Sequence, residues 1–191
     1  MELCVASLDK LFKNEKGYNG PQLEGMPPPE DVFLQLAKGM SYIHKLNLSH
    51  RDIKPHNVLI YVKQERSNKT SNNVDVILKW TDFGGSKKVN MEGENSMSGF
   101  KFSFNWCSPE VLKPLFDDTM DASKFSQKMI KSDIFSEGLV FAFYLLEGEH
   151  LYGSSDDEIQ RNLIDNNPIN MPTIGRPIPY KNLLNNDIIY Y

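Results

Sequence analysis

Cysteine is almost missing from this chain: Cys4 and Cys107 are the 2 thiols in 191 residues. Two thiols far apart supply neither a disulfide framework nor a metal-ligand set, and they read as reduced thiols in a cytoplasmic setting. Long hydrophobic runs are missing too. The longest, "LVFAFYLL" from Leu139 to Leu146, is far short of the about 20 residues a membrane helix needs, so it reads as a buried helix and no membrane segment is expected. The start "MELCVASLDK" has no basic stretch followed by an apolar one, so no secretory signal is expected. There is no excess of positive charge. The 21 basic and 25 acidic residues give a net charge of -4, which argues against nucleic-acid binding as the purpose of this segment. No repeat or low-complexity tract interrupts the chain. The remaining composition, 40% hydrophobic and 24% charged, is that of a globular protein, and the length suits one domain.

Periodicity divides the chain into elements. Ser7 is placed to cap a short helix through Leu8, Leu11 and Phe12. A turn-rich loop follows to Pro29, which opens a second helix. From Glu30 to about Lys45 the apolar residues Val32, Phe33, Leu36, Ala37, Met40 and Ile43 recur at spacings of three and four, which predicts an amphipathic helix. "NVLIYV" and "VDVILKW" are rich in branched residues and predict two strands joined in a small hairpin. Ser86 to Cys107 has no clean period and reads as a long irregular segment. "SPEVL" opens a short helix, "KSDIFSEGLVFAFYLLEG" is an apolar helix, and "SSDDEIQRNLIDN" is a capped one; "NLLNNDIIYY" suits the start of another.

One stretch fits none of these elements. In "HRDIKPHNVLI", residues 50 to 60, five of the first eight side chains can carry charge or titrate. Such density beside a predicted strand is either a solvated turn or a site. The motifs that follow in order decide for a site. After the hairpin comes "DFG", Asp82 to Gly84. About two dozen residues later comes "SPE", Ser108 to Glu110, and then Asp133 in "SDIFSEG".

This order and spacing resemble the C-terminal lobe of a eukaryotic protein kinase. The resemblance implies an α+β, protein-kinase-like fold, with a mainly helical lobe and a small β-hairpin. It implies transfer of the ATP γ-phosphate to a protein hydroxyl, with ATP and Mg²⁺ as cofactors. On it, Asp52 would accept and orient the substrate hydroxyl, and Lys54 would stabilise charge on the transferring phosphate. Asn57 and Asp82 would hold Mg²⁺ through oxygen ligands, which suits a hard cation on phosphates. Glu2 and Cys4 would meet adenine at the hinge, and Leu59 would floor its pocket. Arg51 would grip a phosphorylated residue in the irregular segment, where Ser96 and Ser98 are the expected sites. Asp133 would accept backbone N–H groups beneath the catalytic loop. The Lys54-Pro55 pair resembles serine/threonine kinases, as does Ser103, which stands where they place a hydroxyl that touches the catalytic Asp and Lys. His44 and His150 match no motif and are expected to be structural; His56 stands at a variable position inside the motif and is assigned no chemistry.

"ELCVASLDKLF", "TDFGGSKK" and "KSDIFSEGLVFAFYLLEGEHLYG" further resemble the kinase part of the inositol-requiring unfolded-protein sensors, with the 2-5A-dependent ribonuclease as a sister family. That likeness implies a setting on the cytosolic side of the endoplasmic reticulum membrane and a protein substrate that includes a second copy of the enzyme. The matching region runs from the hinge to a late helix of the lobe. Residues 1–191 are therefore expected to be a partial kinase domain without its N-lobe: no Gly-rich loop, strand lysine or partner glutamate precedes the hinge. The arginine that usually pairs with Glu110 is not found either, which would be costly were Glu110 buried. The expectation is that the chain by itself is inactive. The competing reading is a catalytically inactive kinase-like interaction module. An endoribonuclease is a family association with no segment here to support it.

Overall fold

The computed structural model describes residues 3–13, 20–22, 25–64, 74–89, 103–116 and 122–174. Within them the chain is mainly helical with a small sheet. The first half packs one amphipathic helix on a hairpin. Helix α1 (Leu8–Leu11) follows a two-residue strand β1 (Ala6–Ser7). Ser7 precedes α1 but does not cap it; its hydroxyl donates to Asp9 Oδ1 at 2.6 Å instead. Helix α2 (Pro29–Lys45) begins on proline, with Glu30 and Asp31 in its first turn and His44 and Lys45 in its last. Both sets of charge suit the helix dipole. Its buried face is Val32, Leu36, Met40 and Ile43, and it stops where Asn47 turns left-handed at φ 55°.

Strands β3 (Val58–Gln64) and β4 (Val74–Trp80) pair antiparallel in register from Val58 with Trp80 to Gln64 with Val74. Alternation turns Val58, Ile60, Val76, Leu78 and Trp80 inward against α2. The contact is close. The Trp80 indole donates to the Leu36 carbonyl at 3.0 Å, and a Cβ on Gly39 would stand only 3.1 Å from the Trp80 ring. β1 pairs with β3 through Ala6–Ile60 and Ser7–Leu59, which gives the order β1-β3-β4. A second pair joins β2 (Leu48–Ser49) to β5 (Lys87–Lys88). These two-residue strands carry no readable period, and only tertiary pairing reveals them. Asp75 lies exposed within β4 with Lys63 4.0 Å away.

The second half hangs on α4 (Ala122–Leu145). This helix begins nine residues before the "KSDIFSEG" segment that announces it. Residues 122 to 130, "ASKFSQKMI", contain no glycine or proline, so nothing stops the helix from extending backwards. It ends where Glu147 and Gly148 take positive φ of 52° and 99°. α4 serves two cores. Val140 and Tyr144 join α2 and the hairpin, and Phe141 stacks on Phe33 at 4.4 Å. Met129, Leu139 and Ala142 pack with Val111 and Leu112 of α3 (Pro109–Phe116) and with Ile159 and Leu163 of α5 (Asp156–Asp165). A helix buried on two sides needs apolar residues around most of its girth, which is why its sequence reads as a continuous run. Ser155 caps α5, accepting from the Glu158 N–H. Glu110 is exposed, so the cost expected from leaving it unpaired in a buried place does not arise. Ser96 and Ser98 of the irregular segment, and the last expected helix from Asn182, lie outside the described residues.

Candidate active site

The loop between β2 and β3 has too few residues in regular structure to hold itself. It is held by one carboxylate from α4. Asp133, 3% exposed, accepts from the backbone N–H of His50 at 2.8 Å and of Arg51 at 2.9 Å, and from the Ser49 hydroxyl at 2.9 Å. His44 of α2 adds Nε2 at 3.1 Å from the same carboxylate. Arg51 has φ 72°, a conformation that costs a non-glycine residue about 1 kcal/mol, and the bond from its N–H to Asp133 holds it there.

His50 ties the loop to the end of β4. Its ring is wholly buried, with Nε2 2.9 Å from the Thr81 carbonyl. Nε2 must donate to a carbonyl, so the proton sits there. Nδ1 is then free to accept from the Asp52 N–H, a longer contact at 3.4 Å. Burial lowers the pKa of this imidazole against the raising pull of Asp133, the Thr81 carbonyl and the more distant Asp52 and Asp82, so it stays neutral. Two more bonds complete the seam: Thr81 N–H to the Asn57 carbonyl at 3.0 Å, and the Ser86 hydroxyl to the His50 carbonyl at 3.3 Å. Phe83 lies 4.8 Å from the His50 ring.

Asp52 sits at the centre, 8% exposed. Lys54 Nζ lies 2.8 Å from its Oδ2, and the Ser103 hydroxyl donates to its Oδ1 at 2.7 Å. Lys54 also donates to Ser103 Oγ at 2.8 Å, which closes a ring of three side chains. Asn57 Nδ2 donates to both the carbonyl and Oδ2 of Asp52, at 2.7 and 2.9 Å. Burial alone would raise the Asp52 pKa. The hydrogen bonds from Lys54, Ser103 and Asn57, with the Lys54 charge, outweigh it and hold the carboxyl below its ordinary value. Asp52 is therefore an ionised acceptor at neutral pH.

Asp82 follows Thr81 with φ 62° and ψ 63°, left-handed backbone that turns the chain out of β4 and leaves its carboxylate exposed. With the Asn57 amide nitrogen committed to Asp52, its oxygen is the atom left for a cation. Among the described residues no group of three or more His, Cys, Asp or Glu side chains is placed to hold a metal. Two oxygen donors are too few for a metal site built by protein alone. Leu59 is half-buried on the face of β3 away from the core, beside Ser7 of β1. Cys4 lies just ahead of β1 and is partly exposed; Glu2 lies outside the described residues. Cys107 is no nucleophile: burial, with the Asp52 charge, pushes its thiol up to about 12.

Sequence reasoning missed two groups here. His44 matches no motif, yet it touches the carboxylate that anchors the loop. Glu137, the one acidic residue inside the apolar run after Asp133, is 7% exposed. That charge in "IFSEGLVF" was the available signal. His56 and His150 are engaged too, without joining the site: His56 lies 3.3 Å from Asp9, and His150 lies 2.9 Å from the Asn105 carbonyl.

The family described as "Protein kinase domain" matches residues 1–186. The chain belongs to the protein kinase family. Its fold is protein-kinase-like, as the α+β expectation had it. Among individual proteins the kinase is similar to the human serine/threonine-protein kinase/endoribonuclease IRE2, with 34% identity over 159 residues, covering 81% of this chain and 15% of that protein. It is similar to the sensor for unfolded proteins in the ER ire1 of Schizosaccharomyces pombe, at 31% over 169 residues, 82% of this chain and 15% of that one. Rat tyrosine-protein kinase Fgr is 27% identical over 158 residues, 82% of this chain and 25% of Fgr. The kinase thus spans about 15% of the length of the two sensor-type relatives. A solved structure of the Rad53 kinase domain and SCD2 in complex with AMPPNP superposes with a TM-score of 0.56 at 20% identity, over 88% of this chain and 51% of that one. No helix among the described residues is long and apolar enough to cross a membrane.

Proposed function

We propose that this chain carries the catalytic loop of a serine/threonine protein kinase that moves the γ-phosphate of ATP to a protein hydroxyl. The closed ring of Asp52, Lys54 and Ser103 carries the reading. It presents an ionised acceptor and a fixed cation side by side, the pairing that phosphoryl transfer asks of a protein. Asp52 orients the substrate hydroxyl and takes its proton. The hydroxyl oxygen forms a bond to the γ-phosphorus as the bond from that phosphorus to the bridging oxygen breaks. Lys54 faces the negative charge on the transferring group. Asn57 and Asp82 would hold Mg²⁺, which would supply charge neutralisation on the phosphates. Leu59 and Cys4 form the adenine side. The hydroxyl of Ser103 within the ring and the Lys54-Pro55 sequence favour serine or threonine over tyrosine as acceptor.

The likeness to IRE2 and ire1 supports a protein of the unfolded-protein-response type, at the cytosolic face of the endoplasmic reticulum, whose substrates include a second copy of itself. The test is a phosphotransfer assay on the protein in which these residues occur, with radiolabelled ATP and Mg²⁺. Wild type should label serine or threonine, and Asp52→Asn should lower the rate by a factor of 100 or more, about 3 kcal/mol of transition-state stabilisation. Equal rates for the two would overturn the reading, and phosphotyrosine as the main product would overturn the acceptor class.

A further inference from the structure

Asp133 and Glu137 stand one turn apart on α4, and they are treated very differently. Asp133 has a donor on every side. Glu137 is nearly as buried, and its Oε1 has no hydrogen-bond partner among the described residues. With His44 of α2 it lines an open groove of about 450 Å³ between the two helices, walled by Ala37, Met40 and Ile134. We propose that Glu137 is a positioning residue whose buried carboxyl holds a proton one turn from Asp133, and that this proton sets how firmly Asp133 clasps the catalytic loop.

The charged groups about Glu137 come from three elements. From α2 come His44 and Lys45, both lining the groove. From α4 itself comes Asp133. From the loop, His50 and Arg51 give Asp133 their backbone N–H groups and feel its charge. A buried carboxyl whose oxygen lacks a donor is held best in its neutral form. Once that proton leaves, two buried carboxylates one turn apart repel, and His44 is bound to one of them. Burial pushes the Glu137 carboxyl up to about 7; the attraction of His44 lowers it and the repulsion of Asp133 raises it. The change therefore falls near neutral pH. Glu137 acts through Asp133 on the His50 and Arg51 amides. The link from clasp to catalysis rests on the kinase reading, but the clasp itself does not.

Hydrogen exchange at the His50 and Arg51 amides tests it on the 191-residue chain between pH 5 and 9, with intrinsic exchange rates divided out. In wild type, protection should fall at least fivefold as pH rises through neutrality. Glu137→Gln should flatten that profile, and the exposed control Glu149→Gln should leave it unchanged. A flat wild-type profile, or the wild-type slope surviving in Glu137→Gln, overturns the proposal. Should Glu137→Gln fail to fold, the carboxyl ¹³C shift of Glu137 in wild type decides. A midpoint near 7 supports the proposal, and a midpoint in the ordinary glutamate range sinks it. Neither measurement needs phosphotransfer, so failure here and failure of the kinase reading are separate results.

Discussion

Two buried carboxylates in this chain are equally hidden and opposite in character. Asp52, in the loop pocket, is 8% exposed and its pKa is lowered; Glu137, in the seam between α2 and α4, is 7% exposed and its pKa is raised to about 7. Burial penalises both. What differs is the supply of donors. Asp52 receives Lys54, Ser103 and Asn57, whereas one oxygen of Glu137 receives none among the described residues. A buried acid keeps its charge where donors are fixed around it, and surrenders it where they are not. The loop pocket is thus arranged for a permanent negative charge and the seam for a transient one.

The contrast can be tested first at Asp133, where donors are most numerous. Asp133→Ala should strand the His50 and Arg51 N–H groups and the Ser49 hydroxyl without their acceptor. Removing one partner of a buried charged network costs about 3–5 kcal/mol, read as a drop in urea midpoint at pH 7. A loss below about 1 kcal/mol would mean that donors around a buried acid matter less here than the contrast requires.

At Glu137 the effect should be reversed in sign and nearly as large. The folded-state pKa of about 7 lies above the ordinary glutamate value of 4.5. Stability from this group is then fully present below about pH 4.5 and lost as pH rises to about 7. The loss is about 3 kcal/mol at about 1.4 kcal/mol per pH unit. Glu137→Leu removes the titration, so its stability relative to wild type should rise by that amount between pH 4.5 and pH 8. Unfolding curves at the two pH values that differ by a constant would break the contrast.

Ser103→Ala makes the smallest change, since it takes one donor from Asp52 and leaves two. It should cost about 1 kcal/mol at neutral pH. The Asp52 pKa is depressed, so its stabilising contribution is present above the usual carboxylate range and lost as pH falls. In Ser103→Ala that acid loss should be smaller and should end at higher pH. An unchanged acid limb would show that Lys54 and Asn57 alone hold the charge.

Much of the fold was legible because its signals are local. α2 shows its buried face as Val32, Leu36, Met40 and Ile43, and the hairpin shows two branched runs. The residues of the loop pocket were legible for a related reason. Asp52, Lys54 and Asn57 lie within six residues of chain, and a short loop cannot carry them far apart. Tertiary structure decided the rest. β1, β2 and β5 are two residues long and exist only through their partners. α4 reaches back to Ala122 because it is the pillar of two cores, and no pattern in residues 122 to 130 announces that. Ser7 precedes a helix as a cap should, but Asp9 takes its hydroxyl. Above all, the fate of each acid was a tertiary matter. The sequence shows Asp52, Asp133 and Glu137 alike as carboxylates. Which of them keeps its charge depends on donors contributed from segments distant in sequence, because a hydrogen bond acts across about 3 Å of space and is indifferent to separation along the chain.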